Sequence, residues 1–214
     1  MEKIIFEENV ILYKTKTESR ELLKNVLSDI DIFLKSAPYS PKDNYTYMGD
    51  WSSFDFQTEA NPTNSIEEII KFGMQSCFEL RSEDTSPFNK ININSWINVV
   101  KKGKPKQDNF KRGEDVVTLH NHIDLQKMVE SFYPTYTFVY YVQMPDNLNN
   151  NEGTLIIGGK DGQRHYYLPQ EGDLLIMEGH LPHSPNKSPN STKDRIVIAA
   201  NVGFENTKKI ISLI

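Results

Sequence analysis

Histidines in two short segments are the residues of this 214-residue chain best suited to chemistry. His120, His122 and Asp124 stand at alternate positions, and alternate side chains of an extended chain point to the same side. A second segment, HLPH, supplies His180 and His183. Two imidazoles and one carboxylate facing one interior form the ligand set that binds non-haem Fe(II) and leaves positions open.

The first segment allows two ligand pairs. His120 with His122 would give an H-x-H pair, and His122 with Asp124 would give an H-x-D pair. We favour His122 with Asp124 because this pair supplies the carboxylate that the facial triad requires. His120 would then be a neighbour that orients the ligands.

The third ligand is expected from the second segment. His183 follows Pro182, whose ring fixes its own φ and favours an extended conformation for the residue before it. We therefore predict that His183 is the ligand and that His180, on the turn, is solvated. His165, the fifth histidine, is predicted to be structural.

Two β-like runs carry a predicted anion site. In DRIVIAAN, alternation places Arg195 on one face with small residues and Asn201, and in Tyr136–Met144 it turns Tyr141 to one side. An arginine inside a barrel needs an anionic partner, and its planar guanidinium suits a carboxylate. Tyr141 could donate to the same carboxylate. The alternative for Arg195 is an edge salt bridge to Asp194.

Two helices are predicted to support this β-rich part. Apolar residues at helical spacing indicate a first helix from about Thr17 to Ser36, ended by Pro38. Ser65 and Glu68 match a capping box, which predicts the start of a second helix reaching about Leu80.

Short β runs dominate the rest of the chain. Lys3–Tyr13 is predicted to form two strands around a polar turn. After Pro87 the predicted strands are Ile91–Lys101, Val116–Asn121, Tyr136–Met144, Thr154–Gly158, Arg164–Leu168, Asp173–Glu178 and Arg195–Phe204. This pattern is typical of a mainly β jelly roll, here with two helices behind it.

We expect a single domain over residues 1–214. Residues 1–90 would form the N-terminal strands, helices and a possible lid, and residues 91–205 the jelly-roll core. The lid candidate is the aromatic-rich segment Tyr39–Thr63, which could equally be a connection anchored on the core. The apolar tail, residues 206–214, could dock on the core or on a second copy in a homodimer.

Composition limits the class of function. A net charge of -5 argues against a dedicated nucleic-acid binder, and no stretch is long and apolar enough to span a membrane. The only cysteine, Cys77, lies on the apolar stripe of the second predicted helix and is expected to be buried. One cysteine allows neither an internal disulfide nor a thiolate cluster, and this fits a cytoplasmic protein.

In order, these segments resemble the Fe(II)- and 2-oxoglutarate-dependent dioxygenases, and among them the small prolyl-hydroxylase-like members. The resemblance covers about Ser95–Phe204. It rests on SWINVV (Trp96, Asn98), HNHID (His122, Asp124), VYYV (Tyr141), EGTL (Gly153), PQEGDLLI (Gly172, Asp173), LPH (His183) and DRIVIAAN (Arg195, Asn201).

The resemblance implies a double-stranded β-helix that binds iron through His122, Asp124 and His183. It also implies 2-oxoglutarate and O₂ as cosubstrates, with hydroxylation of a peptide side chain such as proline, or of a small molecule. The keto-acid end of 2-oxoglutarate would chelate the iron.

The cosubstrate-binding residues that follow from the resemblance are Arg195, Tyr141, Asn98 and Asn201, with the far carboxylate on Arg195 and Tyr141. Family members often carry serine or threonine two residues after the arginine, where this chain has Val197. A second hydrogen bond to the carboxylate is therefore missing or supplied elsewhere.

Two other classes of protein fit part of the pattern. A cupin-like metalloenzyme that does not use 2-oxoglutarate would need the histidines but not an inward-facing Arg195. A non-catalytic β-sandwich binding module would need neither.

Overall fold

The computed structural model describes residues 1–17, 19–36, 46–47, 64–82, 90–100, 102, 119–122 and 135–205. Within these ranges the chain forms two helices, α1 (Arg20–Ser36) and α2 (Asn64–Ser82), and the following strands: β1 (Glu2–Glu7), β2 (Val10–Lys16), β3 (Thr46–Tyr47), β4 (Lys90–Val100), β5 (Tyr136–Gln143), β6 (Leu155–Gly158), β7 (Arg164–Tyr167), β8 (Asp173–Glu178), β9 (His183–Pro185) and β10 (Arg195–Glu205).

The strands form two antiparallel sheets. The larger has seven strands in the order β1-β2-β8-β5-β10-β4-β3, and the smaller has three in the order β7-β6-β9. Strand β10 lies between β5 and β4, and it pairs with β4 along its whole length from Arg195 opposite Val100 to Glu205 opposite Lys90. The ends of β4, β5 and β10 are therefore held in a fixed register.

Alternation along the central strands produces two separate apolar layers. Phe138, Tyr140 and Val142 of β5 pack with the helices, whereas Val139 and Tyr141 pack with residues of the smaller sheet. The first layer attaches α1 and α2 to the back of the larger sheet. The second layer fills the space between the two sheets, and the predicted site residue Tyr141 belongs to it.

The two helices contribute an apolar stripe each, as their sequences predict. Val26 and Ile30 of α1 are buried, as is Cys77 of α2. Full burial of one aliphatic side chain contributes about 1.5–3 kcal/mol, so these stripes hold the helices on the sheet. Helix α2 comes so close that a Cβ at Gly73 would lie 2.5 Å from the ring of Phe138.

The predicted capping box at the start of α2 is wrong. Ser65 lies inside the helix, which begins at Asn64, and its hydroxyl donates to the carboxylate of Asp29 in α1. The side chain that local sequence assigns to a helix end instead joins the two helices.

Most predicted strands agree with the structure within one or two residues, but β3 and β9 were not predicted. Of the predicted strand Val116–Asn121, only residues 119–121 are described, and His120 forms an isolated bridge with His183. The lid candidate Tyr39–Thr63 lies outside the described residues except for β3, and so does the tail. No helix in the described ranges is both long and apolar enough to cross a membrane.

Candidate metal centre and anion site

Three histidines meet between the sheets. The ligand nitrogens of His120, His122 and His183 all lie within 4.8 Å of one another. Backbone hydrogen bonds hold them there: His120 N–H donates to the carbonyl of His183 at 3.0 Å, and His183 N–H donates to that of His120 at 2.8 Å. His122 N–H donates to the carbonyl of Gly179 at 3.2 Å. The site therefore depends on the pairing of two segments about 60 residues apart.

The spacing of two of these rings suits one metal ion. The Nε2 atoms of His122 and His183 are 3.2 Å apart. Two nitrogens bound at about 2.0–2.1 Å, with an angle of roughly 90–109° between them, would be separated by roughly 2.8–3.4 Å. The Nδ1 atom of His183 lies 2.8 Å from the carbonyl of Leu181 and donates to it, which leaves the lone pair on Nε2. The residues present fit a metal.

All three imidazoles favour the neutral form that binds metals. Burial lowers the pKa of His122 to about 3, helped by the two neighbouring histidines. Burial also lowers the pKa of His183 to about 4, although its hydrogen bond to Leu181 acts in the opposite direction. The pKa of His120 is lowered by burial as well. Desolvation of the charged form is the common cause.

The larger sheet contacts this histidine cluster through Trp96. The indole ring of Trp96 lies 5.4 Å from the ring of His122, centroid to centroid. Across the strands Trp96 pairs with Ala199, and Ala199 pairs with Val139. His122 thus lies against Trp96 at one end of an apolar row that has the small Ala199 at its centre.

Next to this row lies the predicted anion site. Val197 pairs with Asn98 on one side and with Tyr141 on the other, and Arg195 precedes Val197 by two residues on β10. Arg195 is 5% exposed and Tyr141 is completely buried, and the guanidinium carbon lies 5.4 Å from the centre of the tyrosine ring. Both side chains face the interior, as alternation predicts.

Several polar atoms at this end are buried without a hydrogen-bond partner among the described residues: Arg195 Nε, Tyr141 Oη and Asn98 Oδ1. Buried polar atoms without partners are rare in folded proteins because each is destabilising by about 1–3 kcal/mol. Burial also raises the pKa of Tyr141, with the charge of Arg195 and a hydrogen-bonding interaction with its guanidinium acting in the opposite direction, so the tyrosine hydroxyl keeps its proton and can donate. The two donors, Arg195 Nε and Tyr141 Oη, fit a missing anionic partner, whereas Asn98 Oδ1 and the nearby Asp173 Oδ1 are unpartnered acceptors and do not.

A partly buried ion pair that sequence reasoning missed adjoins this end. Asp173 of β8 is completely buried; its Oδ2 accepts from the N–H of Gln170 at 2.9 Å and lies 3.4 Å from Lys14 Nζ. Lys14 belongs to β2 and also lies over the ring of Tyr167. Together Lys14, Asp173 and Arg195 carry one net positive charge. The available signal in the sequence was that Lys14 lies on the same face of its strand as the apolar Val10 and Leu12.

The remaining predicted residues fall in three groups. Asp124 lies outside the described residues. Asn201 accepts a hydrogen bond from Thr137 at 2.9 Å, and it stands six residues from Arg195 on β10, or about 20 Å along an extended strand. The two side chains therefore cannot bind the same carboxylate. A cosubstrate role for Asn201 stays a prediction. Any such contact would have to be made about 20 Å along β10 from Arg195.

The other two histidines behave as predicted. His180 is exposed and lies 3.2 Å from Glu178. His165 is 2.7 Å from Glu7, which joins the smaller sheet to the N-terminal strand.

Comparisons with known proteins identify the fold. No family model matches the sequence, and no curated protein matches it. A solved prolyl-4-hydroxylase from Pseudomonas putida superimposes with a TM-score of 0.55 at 9% identity, over 91% of this chain and 92% of that one. A prolyl hydroxylase from Trichoplax adhaerens, solved with a peptide fragment of the hypoxia-inducible-factor oxygen degradation domain, gives a TM-score of 0.53 at 11% identity, over 96% and 87%.

At these identities the likeness shows the fold alone. The predicted mainly β jelly roll with two supporting helices is confirmed.

Proposed function

We propose that this protein is an Fe(II)- and 2-oxoglutarate-dependent dioxygenase. The observation that carries the proposal is the anion site of Arg195 and Tyr141, which faces the same interior as the histidine cluster and holds buried donors without partners. A cupin-like metalloenzyme without 2-oxoglutarate has no use for this site. A non-catalytic β-sandwich binding module has no reason to bury this anion site beside neutral imidazoles.

The proposed metal ligands are His122, Asp124 and His183. The imidazole of His183 is buried and that of His122 is half-buried, burial favours the neutral form of both, and the carboxylate would balance part of the metal charge. When bound, iron would supply the activation of O₂ that couples decarboxylation of 2-oxoglutarate to hydroxylation of the substrate. The chain supplies the positions, the charges and the exclusion of water.

The far carboxylate of 2-oxoglutarate is proposed to lie on Arg195 and Tyr141. The guanidinium can donate two parallel hydrogen bonds, and the tyrosine hydroxyl one more. Val197 cannot donate, but its neighbour Asn98 can offer its amide group from the adjacent strand. We propose that Asn98 supplies the hydrogen bond that family members often obtain two residues after the arginine, with its amide turned so that the nitrogen, and not the oxygen that is buried without a partner, faces the carboxylate. The net positive charge at this end, with Lys14 included, favours a carboxylate.

The proposed prime substrate is a protein or peptide side chain, with proline as the first residue to test. The neighbour from Trichoplax adhaerens was solved with a peptide, and both neighbours are prolyl hydroxylases. A small-molecule substrate is the alternative. The cytoplasmic location and the homodimer stay predictions.

The test is an anaerobic titration of 2-oxoglutarate into the Fe(II)-loaded protein, following the visible charge-transfer band of a chelated keto acid. We expect a band in the wild-type protein and none in Asp124→Ala. In Arg195→Ala the affinity for 2-oxoglutarate should fall by about 1.5–3 kcal/mol, or roughly 10–150-fold.

Arg164→Ala, on the edge strand β7, is the matched control and should bind 2-oxoglutarate as the wild type does. If the wild-type protein bound iron tightly but gave no band, the cosubstrate assignment would be wrong and the cupin-like alternative would replace it. If it bound no iron, the protein would be a non-catalytic module.

A further inference from the structure

We propose that Asp173 determines which anions the site of Arg195 and Tyr141 accepts. It favours a ligand group with one negative charge, such as a carboxylate, over a doubly charged group, such as a phosphate or phosphonate. This inference rests on the proposed function and deepens it, because it specifies a keto dicarboxylic acid rather than a phosphorylated keto acid as the class of cosubstrate. Asp173 acts through its charge, so it need not contact the ligand.

Asp173 lies beside the anion site on the interior face of the larger sheet. Tyr140 pairs with Leu174, so Tyr141 and Asp173 stand opposite each other on β5 and β8 and point to the same side. The N–H of Gly172 donates to the carbonyl of Tyr141 at 2.8 Å, which fixes this register. Neighbouring strands lie about 4.8 Å apart, so Asp173 and Tyr141 are separated by one strand spacing.

One oxygen of Asp173 has no role in holding the fold together. The side chain is completely buried, and its Oδ2 atom accepts from the N–H of Gln170 and lies 3.4 Å from Lys14 Nζ. The Oδ1 atom has no hydrogen-bond partner among the described residues. A buried carboxylate oxygen without a partner is destabilising, and beside an anion site it also repels the ligand. Its presence there is explained if the repulsion serves selectivity.

The charges of these groups determine the preference. Arg195 and Lys14 each carry one positive charge and Asp173 carries one negative charge, which leaves one net positive charge. A single carboxylate makes this group of charges neutral, whereas a doubly charged phosphonate leaves one net negative charge away from water. An uncompensated charge in a protein interior is strongly unfavourable. The site therefore matches one carboxylate.

The direct experiment compares two probes that share a tetrahedral head and differ in charge. At about pH 9 propanesulfonate carries one negative charge, and propylphosphonate carries two because its second proton has dissociated. A hydrogen-bonding interaction with Tyr167 raises the pKa of Lys14, so its positive charge is present at this pH. Each probe is titrated into the full-length protein without added metal, and binding is followed through the ¹⁵N chemical shift of Arg195 Nε. We expect the wild-type protein to bind the sulfonate roughly tenfold more tightly.

Two variants should shift this preference in opposite directions. Asp173→Asn leaves two net positive charges, which the phosphonate neutralises, so the preference for the sulfonate should fall by about tenfold. Lys14→Met removes a positive charge and should increase the preference. The Lys14 side chain is 21% exposed, so this variant tests the proposal even if Asp173→Asn does not fold. Glu178→Gln removes an exposed carboxylate from the end of the same strand and should leave the preference unchanged.

The ratio of the two affinities separates selectivity from a structural role. If Asp173 only held Lys14 and Gln170 in place, Asp173→Asn would change both affinities by the same factor, and that unchanged ratio would overturn the proposal. Equal binding of the two probes by the wild-type protein would overturn it as well. If neither probe moved the Arg195 signal, the anion site itself would be wrong, and its selectivity with it.

The proposed function can fail separately. A preference for the sulfonate that Asp173→Asn removes would establish the selectivity even if the anaerobic titration of 2-oxoglutarate gave no charge-transfer band. In that case the cosubstrate would be wrong and the singly charged ligand group would stand. The reverse result, a band together with equal binding of the two probes, would retain the cosubstrate and refute the role of Asp173.

Discussion

The hydroxyl of Tyr141 should affect stability and cosubstrate binding in opposite directions. It is completely buried and has no hydrogen-bond partner among the described residues. In the ligand-free protein the desolvation of the hydroxyl is offset in part by the neighbouring Arg195 guanidinium, whereas with 2-oxoglutarate bound the hydroxyl would donate to the carboxylate. Tyr141→Phe removes only this oxygen, so we expect a more stable ligand-free protein that binds 2-oxoglutarate less tightly.

The magnitudes follow from the burial. An unsatisfied buried hydroxyl is destabilising by about 1–3 kcal/mol, and Arg195 offsets part of this, so Tyr141→Phe should raise the free energy of unfolding by about 1 kcal/mol. For a chain of this size that raises Tm by roughly 2–4 °C. Loss of a hydrogen bond to a charged carboxylate should weaken 2-oxoglutarate binding by about 1.5–3 kcal/mol, or roughly 10–150-fold.

The adjacent residue Tyr140 provides the matched control. It is also completely buried, but on the opposite face of β5, and its hydroxyl is 2.6 Å from that of Thr17. Tyr140→Phe breaks a satisfied hydrogen bond and should lower the free energy of unfolding by about 1 kcal/mol, with no effect on 2-oxoglutarate binding. Thermal unfolding of the ligand-free proteins and the anaerobic 2-oxoglutarate titration measure both quantities. A Tyr141→Phe variant that is destabilised, and that binds 2-oxoglutarate as the wild type does, would refute the assignment.

Three further predictions concern stability and reactivity. Hydrogen bonds from Thr192 lower the pKa of Asp146 to about 2, so the ionised carboxylate stabilises the fold, and this stabilisation is lost as the pH falls from about 4 towards 2. Asp146→Asn should therefore flatten the pH dependence of the urea midpoint in that range. An unchanged pH profile would contradict the assignment. Burial raises the pKa of the Cys77 thiol, so a thiol reagent should label it only in urea, and rapid labelling of the native protein would show that α2 opens. Gly172→Ala should destabilise the protein by more than the roughly 1–2 kcal/mol expected for a left-handed residue, because the new Cβ would lie 2.9 Å from the carbonyl oxygen of Thr17. Gly162 has a similar φ but open space around it, so Gly162→Ala is the control and should show only the left-handed penalty. Equal losses of unfolding free energy in the two variants would rule out the contact with Thr17.

Much of the candidate site could be predicted because it depends on local pattern. Period-two alternation in β5 and β10 determines that Tyr141 and Arg195 face the interior, whatever the neighbours of these strands are. In the same way, the spacing of apolar residues determines which side of each helix is buried. These inferences needed only the conformation of one segment at a time.

Other features depend on which segments meet, and local pattern does not contain that information. The ion pair of Lys14 with Asp173 exists because β2 lies beside β8 in the larger sheet, although the two residues are far apart in sequence. The bond of Ser65 to Asp29 likewise required the packing of α2 on α1. A capping box read from sequence could not compete with a partner that only the packing supplies.

The histidine cluster shows both contributions. The sequence by itself determined that His120 and His122 share a face and that the LPH segment supplies another imidazole, because extended chains alternate. Only the tertiary structure decided that His120 lies against His183, because the pairing of their two segments is a long-range contact. The separation of Asn201 from Arg195, by contrast, follows from six residues along one predicted strand and needed no tertiary contact. Side-chain direction is a property of one strand, whereas the composition of a site is a property of how the strands are assembled.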